Sequence, residues 1–457
     1  MAIRSTLVKG TRDYSAEEIY RRNYILSVIQ SVYALYGFEP LETPAIESWS
    51  TLAEKYGEEG EQLMFHILKS GDFLKNISLE GGDYAKIKPL ISDKGLRYDL
   101  TIPLVRYIAM HRHQLCFPFK RYQIQTVWRA DRPQRGRYRE FLQCDIDIVG
   151  SEACLCEAEI LKIIYDVLTK LQLRNFHIKI NHRGILSAIV SKAAQATKEI
   201  QFCTIIDKLA KIGWEQVVLA LKQEGFDAEI ISLLDGLVHF KGSDEQLLEQ
   251  LQTAIGSIDK GAMALNLLTQ TLTQAHHLGL PAEICHIDPT LARGLAYYTG
   301  MVMEVMVADS NLGSLGGGGR YDQLGACFGL DALSGVGFSF GINRLYAIME
   351  EQQLFQSTAG YTTEILLVNM ETTATKRLLQ MANQLRIHGL STELYPQCVK
   401  LQKQLVYAHK KKIPFVILLG EQELATDSYT LKNMQTGLQM NYSWPDLMQV
   451  LQKKLRA

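Results

Sequence analysis

An arginine-rich stretch followed by regularly spaced polar side chains is the part of this sequence best suited to chemistry. Arginines occur at five positions in eleven residues: Arg129, Arg132, Arg135, Arg137 and Arg139. Guanidinium groups match phosphate oxygens in charge and in planar fork geometry. Gln143, Asp145 and Asp147 follow at a spacing of two, which places them on one face of a strand. The pattern predicts a site that holds an anion at one end and a cationic or hydrogen-bonding group at the other.

The same stretch, Arg121 to Gly150, has the pattern of two strands joined by a basic loop. Alternation puts an apolar set on one face of the hairpin: Tyr122, Ile124, Trp128, Cys144, Ile146 and Ile148. The opposite face is polar: Arg121, Gln123, Gln125, Arg129, Gln143, Asp145 and Asp147. Pro133 and Gly136 supply turn chemistry between the strands. An alternative interpretation remains open at this point, namely that the polar face is the solvated side of an amphipathic sheet.

The hairpin reads R-A-D-R-P-Q-R-G-R-Y-R-E-F-x-Q-C-D-x-D, which resembles motif 2 of class II aminoacyl-tRNA synthetases and the histidyl-tRNA synthetase family in particular. The resemblance covers about residues 5–455 and includes three motifs in the family's order. It implies an α+β fold, with an antiparallel catalytic sheet flanked by helices, a helical insertion and a C-terminal α/β anticodon-binding domain. It also implies ATP-dependent ligation of L-histidine to tRNA(His) through a histidyl adenylate, with release of pyrophosphate and AMP.

The segment L-R-Y-D-L-T-I-P from Leu96 places Asp99 and Thr101 on one face of a strand, directly before Pro103 opens a helix. The resemblance implies that Asp99 and Thr101 receive the α-amino group of histidine. The residues alone also allow a surface acid that is favoured by the dipole of the following helix.

The peptide R-G-L-A-Y-Y-T-G begins at Arg293 and resembles the signature of the histidyl family. It implies that Arg293 approaches the α-phosphate from the side opposite Arg129, while Tyr297 and Tyr298 form a wall of the imidazole pocket. In a regular strand Arg293 and Tyr297 would lie on one face and Tyr298 on the other. Arg293 and both tyrosines can therefore serve the site only if the backbone is not a regular strand between them. Ala296 departs from the family pattern, which usually has Asp there.

Two glycine-rich stretches complete the candidate site. Gly316 to Asp322 lacks the GK[ST] ending of a P-loop, and its glycines instead let the backbone approach a ligand, with Tyr321 lining the amino-acid pocket by resemblance. The stretch G-V-G-F-S-F-G-I-N-R resembles motif 3, and its glycine face offers a flat surface to a planar base. Arg344 follows at a helix start, where the family's arginine holds the γ-phosphate. The alternative is a glycine strand packed against a helix.

The resemblance assigns a role to each candidate residue. Arg129 and Arg293 are the catalytic pair at the α-phosphate. Arg344 and Arg137 hold the β and γ end beside Mg²⁺, and Asp131 and Gly341 complete the ATP site. Histidine is bound by Asp99, Thr101, Gln143, Asp147, Arg293, Tyr297, Tyr298 and Tyr321. The expected small molecules are therefore ATP, L-histidine and Mg²⁺ held mainly through ATP, with no metal ligated by Cys or His.

The elements around these motifs indicate several domains. Ser15 and Glu18 form a capping box before a helix that ends near Gly37, and Phe38 to Ile46 is extended. The resemblance makes this region motif 1, through which a homodimer forms. We expect residues 1–194 and 281–350 to form the catalytic domain, 195–280 a helical insertion that contacts tRNA, 351–361 a linker, and 362–457 the anticodon-binding domain.

Composition is that of an ordinary globular protein with a net charge of −1. From Tyr361 to Ala457 there are 12 Lys and Arg against 7 Asp and Glu, which suits contact with an anionic polymer or a solvated surface. Lys410 to Lys412 allows the same two interpretations. Eight scattered cysteines and the adjacent His276 and His277 lack metal-ligand spacing. No stretch is long enough to cross a membrane, so a cytoplasmic protein is expected.

Two other classes compete with the enzyme. A regulatory paralogue in the histidine biosynthetic complex would share the fold, but it normally lacks the anticodon domain and the arginine signature, both of which are present in this sequence. An RNA-binding or sensor module without ligase activity is the second alternative. Histidine-dependent exchange of pyrophosphate into ATP distinguishes these classes.

Overall fold

The computed structural model describes residues 5–53, 60, 62–75, 77, 84–293, 297–308, 310–330, 333–355, 363–420, 423 and 426–456. Ala296 and most of the expected linker at 351–361 lie outside these residues. The chain divides into two compact units, Met1–Phe355 and Gln356–Ala457.

The strands alternate with helices along both units. In chain order the strands are β1 Glu39–Pro40, β2 Ile46–Ser48, β3 His66–Ile67, β4 Lys94–Leu96, β5 Phe119–Trp128, β6 Glu140–Val149, β7 Phe176–His182, β8 Cys285–Ile287, β9 Met301–Val307, β10 Gly316–Tyr321, β11 Gly335–Gly341, β12 Ile365–Leu367, β13 Thr392–Leu394, β14 Phe415–Leu418, β15 Tyr429–Asn433 and β16 Gln439–Tyr442. The helices are α1 Ala16–Leu35, α2 Trp49–Leu52, α3 Tyr84–Ile91, α4 Thr101–His111, α5 Leu155–Lys170, α6 Arg183–Lys192, α7 Glu199–Ile206, α8 Leu209–Ile212, α9 Trp214–Gln223, α10 Ala228–Val238, α11 Asp244–Ile255, α12 Asp259–His277, α13 Ile342–Glu351, α14 Thr375–Ile387, α15 Leu401–Lys410 and α16 Trp444–Arg456.

The first unit is organised around an eight-stranded sheet in the order β1-β5-β6-β11-β10-β9-β7-β8. The outer pairs β1–β5 and β7–β8 are parallel, and the pairs between them are antiparallel. This confirms the expected antiparallel sheet flanked by helices. The predicted hairpin is β5–β6, and its register sets Arg121 opposite Asp147. The glycine strands β11 and β10 follow β6 in the sheet, so motif 2, motif 3 and the glycine-rich stretch at Gly316 lie side by side, while β1 of motif 1 is at the edge.

The two faces of this sheet have different chemistry, as alternation in the hairpin predicts. Cys144, Ile146 and Phe338 belong to a large apolar core that also includes Ile25 and Ile29 of α1. Helix α1 begins with the predicted capping box, in which Ser15 accepts from the backbone of Glu18 and the Glu18 side chain accepts from the backbone of Ser15. Burial of these apolar side chains, roughly 2 kcal/mol for each large one, stabilises this side of the sheet. The polar side chains are thereby left on the opposite face.

Between Glu199 and His277, every residue of which is described, the ordered elements are helices α7 to α12. Their buried residues, including Phe202, Leu234 and Leu265, join the same apolar core as the sheet. His276 and His277 lie exposed in the last turn of α12. Within the described part of the chain, no group of three or more His, Cys, Asp or Glu side chains is arranged to hold a metal.

The second unit has a five-stranded mixed sheet in the order β13-β12-β14-β15-β16, as the alternation of strands and helices predicts. Strands β13, β12 and β14 are parallel, whereas β15 and β16 are antiparallel additions. Lys411 follows α15 and its Nζ lies 2.7 Å from Glu393 Oε2, so this lysine is already paired within the unit. None of the helices traced in the described residues has the length and apolar character needed to cross a membrane.

Candidate active site

A cavity of about 310 Å³ opens on the polar face of the central sheet. Every residue to which the resemblance gave a role lines it: Asp99, Thr101, Arg129, Asp131, Arg137, Gln143, Asp147, Arg293, Tyr297, Tyr298, Tyr321, Gly341 and Arg344. Of the five arginines in the basic stretch, Arg129 and Arg137 line this cavity, whereas Arg132, Arg135 and Arg139 do not. The lining residues come from well-separated segments of the chain, and the sheet brings them together. The solvated-face interpretation of the hairpin is therefore wrong, because Arg121, Gln123, Asp145 and Asp147 are all buried.

Arg129 and Arg293 reach the cavity from different segments. Arg129 donates from Nε to the carbonyl of Tyr98 at 3.0 Å, and its guanidinium lies 4.2 Å from the centre of the Tyr98 ring. Arg293 donates from Nη1 to Glu304 Oε1 at 3.1 Å. A Cβ atom on Gly317 would lie only 2.3 Å from Arg293 Nη1. Glycine at this position therefore makes room for the guanidinium over strand β10.

Two further arginines lie at the same end of the cavity. Arg137 binds Asp131 with both branches of its fork, Nε to Oδ2 at 3.1 Å and Nη2 to Oδ1 at 2.8 Å. Arg344 donates from Nη1 to the carbonyl of Ser314 at 2.6 Å. Burial, and then the neighbouring Arg137, lower the pKa of Arg344 from its ordinary value. Like charges held near each other in a partly buried cavity favour the entry of an anion.

The opposite end of the cavity contains a carboxylate held by two partners. Asp147 Oδ2 lies 2.8 Å from Arg121 Nη2, and the two side chains are 3% and 0% exposed. The hydroxyl of Tyr321 donates to Asp147 Oδ1 at 2.5 Å. Burial raises the pKa of Asp147, while Arg121 and the Tyr321 hydroxyl oppose that rise. A carboxylate fixed in this way can accept a hydrogen bond from a ligand N–H.

Gln143 and Asp145 form a second polar group on the neighbouring part of β6. Gln143 donates from Nε2 to Ser339 Oγ at 2.9 Å and to Asp145 Oδ1 at 3.3 Å. Burial raises the pKa of Asp145 to about 7, with Asp147 adding to the rise and Arg121 opposing it. This carboxyl group therefore titrates near neutral pH on the cavity wall.

Asp99 has a structural contact as well as a place in the cavity. Its Oδ1 accepts from the backbone amides of Thr101 and Ile102 at 3.1 and 3.2 Å, at the start of helix α4. The Tyr297 hydroxyl donates to its Oδ2 at 3.5 Å. Asp99 is buried, so the surface-acid alternative is wrong, although the expected interaction with the helix start is present.

The flat glycine surface expected along β11 is partly filled by the protein itself. A Cβ atom on Gly337 would lie 2.1 Å from Asp147 Oδ1, and one on Gly335 would lie 2.5 Å from the Tyr321 ring. These glycines thus admit the side chains of the carboxylate end. Gly341 is at the other end of the strand, where the nearest neighbour of an added Cβ would be the Leu315 carbonyl oxygen at 3.4 Å. This end of β11 is therefore open to the cavity.

The tyrosine segment is placed by a residue that the sequence did not point to. Strand β9 begins only at Met301, which allows both Tyr297 and Tyr298 to line the cavity with their ring centres 4.7 Å apart. Arg183, the first residue of α6, donates from Nη1 to the carbonyl of Tyr298 at 2.6 Å. Its Nε donates to Glu199 Oε1 at 3.1 Å. The helical region is therefore tied to the tyrosine segment through one side chain.

Several other lining residues were given no place in the site from the sequence: Tyr138, Phe141, Lys211, Glu304, Ser339 and Asn343. Asp145, which the spacing of two already placed beside Gln143 and Asp147, also lines the cavity. Ser339 lies on the glycine face of β11, so the same spacing could have found it. Lys211 belongs to α8 in the helical region, and no local pattern distinguishes it from the other lysines there. Arg121 could have been recognised as the partner of Asp147 from the hairpin register.

Comparisons with known proteins agree with this geometry. The family model described as Histidyl-tRNA synthetase matches residues 82–345, and the model described as Anticodon binding domain matches residues 364–454. The chain is 44% identical to the histidine–tRNA ligase of Cytophaga hutchinsonii, over 98% of this chain and 99% of that protein. It is also 44% identical to the histidine–tRNA ligase of Porphyromonas gingivalis, over 95% and 96%. The crystal structure of histidyl-tRNA synthetase from Nostoc sp. PCC 7120 is similar with a TM-score of 0.81 and 30% identity, covering 99% of this chain and 100% of that chain. The chain belongs to the histidyl-tRNA synthetase family of class II aminoacyl-tRNA synthetases.

Proposed function

We propose that this chain catalyses the ATP-dependent ligation of L-histidine to tRNA(His). Family membership over nearly the whole chain supports the reaction. The observation that carries the proposal is the cavity in which four arginines gather at one end and a paired carboxylate with three tyrosines lies at the other. Such a cavity suits the joining of a triphosphate to an amino acid with a polar side chain.

In the first step the carboxylate of histidine attacks the α-phosphorus of ATP, and the bond to pyrophosphate breaks. The carboxylate and the phosphate repel each other, so their approach requires positive charge on the α-phosphate oxygens. Arg129 and Arg293 supply that charge. Their preorganised positions, fixed by the Tyr98 carbonyl and by Glu304, reduce the reorganisation needed in the transition state.

The β and γ phosphates are held by Arg344 and Arg137. Asp131 orients Arg137 through both branches of its fork, and Gly341 leaves the end of β11 open for the nucleotide. Guanidinium groups at this end also stabilise the departing pyrophosphate.

Histidine is oriented by two sets of side chains. Asp99, Thr101 and Gln143 receive its amino and carboxyl ends, while Asp147, Tyr298 and Tyr321 contact the imidazole and Tyr297 closes the pocket. The polar groups of a buried pocket are left unpaired when the bound side chain cannot form hydrogen bonds with them. Such a pocket discriminates against these side chains by up to about 10⁴- to 10⁵-fold in kcat/KM.

Mg²⁺ belongs to this proposal as an ion bound chiefly through the phosphates of ATP. The carboxylates at the phosphate end, Asp131 and Glu304, are each bound by an arginine. No cluster of three acidic, His or Cys ligands is found in the described parts of the chain. When bound, the ion adds positive charge at the β and γ phosphates.

In the second step the terminal ribose hydroxyl of tRNA(His) attacks the carbonyl carbon of the histidyl adenylate, and AMP leaves. We assign anticodon contacts to residues 362–457, where the positive charge excess supports an interaction with RNA. We divide the remainder into a catalytic domain of residues 1–194 and 281–350, a helical insertion of 195–280 that contacts tRNA, and a linker of 351–361.

A homodimer and a cytoplasmic location complete the proposal. Apolar side chains are exposed in the motif 1 region, including Tyr24, Leu35 and Ile46, and such a surface suits a subunit contact. Seven cysteines of the described chain are free thiols, which supports a reducing compartment.

Histidine-dependent exchange of labelled pyrophosphate into ATP tests the first step, and charging of a tRNA(His) transcript tests the second. We expect exchange with histidine and a rate lower by about 10³-fold or more with other amino acids. Purified protein without exchange would disprove the enzyme and favour the regulatory or RNA-binding alternative. Exchange without charging would restrict the proposal to adenylate formation.

A further inference from the structure

Three polar side chains on the wall of the active-site cavity form a closed set of hydrogen bonds. Gln143 and Asp145 are on β6, and Ser339 is directly opposite Asp145 on β11. Gln143 donates from Nε2 to Ser339 Oγ at 2.9 Å and to Asp145 Oδ1 at 3.3 Å. Burial raises the pKa of Asp145, and a hydrogen bond with Ser339 opposes that rise. The proposed reaction gives Asp145 no part, although its carboxyl group lines the cavity.

The ionised carboxylate of Asp145 sets the direction of these hydrogen bonds, because of the three groups only a carboxylate is restricted to accepting. Ser339 therefore donates its hydrogen to Asp145 and is left to accept from Gln143. Both hydrogens of Gln143 Nε2 are then engaged, one by each neighbour. Gln143 Oε1 points the other way, where Arg129 Nη2 donates to it at 3.5 Å. The amide thus presents its oxygen to the cavity.

The residue of β5 that faces Asp145 does not compete for its carboxylate. Gln123 is opposite Asp145 in the register of the hairpin. Its Nε2 donates instead to Thr43 Oγ1 at 2.8 Å and to Gln125 Oε1 at 2.5 Å, which engages both of its hydrogens. The acceptor capacity of Asp145 is therefore available to Gln143 and Ser339.

The orientation of the Gln143 amide decides which end of an amino acid it can bind. An amide oxygen accepts a hydrogen bond from an ammonium group and offers nothing to a carboxylate, whereas an amide N–H does the opposite. The carboxylate of a bound amino acid is matched by the guanidinium groups of Arg129 and Arg293 in the same cavity. With its oxygen toward the cavity, Gln143 is suited to the ammonium group.

We propose that Asp145 is a positioning residue that holds the Gln143 amide with its oxygen toward the cavity and so makes the site selective for a protonated α-amino group. This rests on the proposed function, in which Gln143 contacts the amino and carboxyl ends of histidine, and it narrows that contact to the amino end. Without the carboxylate of Asp145 the amide is free to turn, and its N–H groups would then face the ammonium group of the substrate.

Two histidine analogues separate the two ends of the substrate. L-Histidinol keeps the amino group and lacks the carboxylate, whereas deaminohistidine keeps the carboxylate and lacks the amino group. The inhibition constants of both are measured in histidine-dependent pyrophosphate exchange, at a pH well above the pKa of Asp145 of about 7. Asp145→Ala is the test variant. Cys144→Ala is the matched control, since Cys144 is the preceding residue of β6 and is buried in the apolar core on the opposite face.

For Asp145→Ala we expect the inhibition constant of histidinol and the KM for histidine to rise about tenfold or more, the effect of a lost hydrogen bond to a charged group. The inhibition constant of deaminohistidine and kcat should stay within about twofold of the wild type, because neither depends on the amino end. Cys144→Ala should leave the ratio of the two inhibition constants unchanged.

A double-mutant cycle with Gln143→Ala distinguishes positioning from direct contact. If Asp145 acts through Gln143, Asp145→Ala should have no further effect on the inhibition constant of histidinol once Gln143 has been replaced. Effects of the two substitutions that multiply would show that Asp145 contacts the ammonium group itself, and they would overturn the positioning role.

An unchanged inhibition constant of histidinol in Asp145→Ala, or equal rises for both analogues, would also overturn the inference. If Asp145→Ala does not fold, Asp145→Asn replaces it, because asparagine accepts in only one of its two amide orientations. Asp145→Asn should raise the inhibition constant of histidinol alone, and wild-type constants for both analogues would overturn the inference. Wild-type protein without exchange would overturn the proposed function, whereas failure of this inference alone leaves wild-type exchange intact.

Discussion

Tyr321 reaches across an entire strand to bind Asp147. The two residues belong to β10 and β6, and β11 lies between them, with Gly335 opposite Tyr321 and Gly337 opposite Asp147. Since neither glycine has a side chain, the Tyr321 hydroxyl approaches Asp147 Oδ1 to 2.5 Å. Arg121 binds the other carboxylate oxygen. Three strands thus combine to fix one carboxylate.

Tyr321→Phe should therefore weaken histidine binding while leaving the Arg121–Asp147 ion pair in place. We expect the KM for histidine in pyrophosphate exchange to rise about tenfold to hundredfold, the range of a hydrogen bond to a charged group. The KM for ATP should change by less than about twofold. Tyr33→Phe is the control, because Tyr33 is buried in α1 and its hydroxyl has no partner in the described chain. A matching rise in the KM for ATP would show that Tyr321 acts on the whole cavity instead.

Gly317→Ala should impair adenylate formation through Arg293. The new Cβ atom would lie 2.3 Å from Arg293 Nη1, so the guanidinium has to move away from its position over β10. Loss of one preorganised charge at a phosphate costs about 10²- to 10³-fold in rate, which pyrophosphate exchange measures.

Arg293→Ala should have at least that effect and leave tRNA affinity nearly intact. If Arg293→Ala instead lost tRNA affinity and kept exchange, the role given to Arg293 would be wrong.

Arg183 is expected to act as a positioning residue for the tyrosine segment, since it donates to the carbonyl of Tyr298. Arg183→Ala should raise the KM for histidine about tenfold, the effect of one lost hydrogen bond to a charged donor, with a smaller change in kcat. Arg183→Lys should recover part of this loss. Lys192→Ala, at the far end of the same helix, is the control. Parallel losses in kcat and in the KM values for both substrates would indicate a general loss of structure.

Asp145 should make stability depend on pH in a definite direction. Its pKa is raised from 3.8 to about 7 by burial, so the folded protein binds more protons than the unfolded chain between those values. The stabilising contribution is present below about pH 4, declines as the pH rises, and is lost above about pH 7. Asp145→Asn removes this dependence. Between about pH 4 and pH 8, the free energy of unfolding of the variant should rise by up to about 4 kcal/mol relative to that of the wild type. Urea unfolding measures this difference. If the difference in the free energy of unfolding between the two proteins stayed constant across this pH range, the raised pKa of Asp145 would be contradicted.

Local patterns in the sequence predicted well which residues share the site. They did not predict which contacts hold each residue in place. Alternation in the hairpin placed Gln143 and Asp147 on the correct face, because a strand has a fixed side-chain period. The same alternation could not show that this face is buried, since burial depends on elements distant in sequence. The contact between Arg183 and Tyr298 joins residues 115 positions apart and has no local signature. The resemblance indicated the tyrosine segment, and its Ala296 lies outside the described residues.

The run Gly316 to Gly319 has no space for side chains. At each of the four positions a Cβ atom would lie between 2.0 and 2.6 Å from a neighbouring atom, and at three of them that atom is a backbone oxygen. Backbone in the middle of an eight-stranded sheet cannot move aside as a flexible side chain can. Under selection for a folded protein, a saturation library at Gly316, Gly318 and Gly319 should therefore recover almost only synonymous changes, whereas at Gly317 the neighbour is the movable end of the Arg293 side chain.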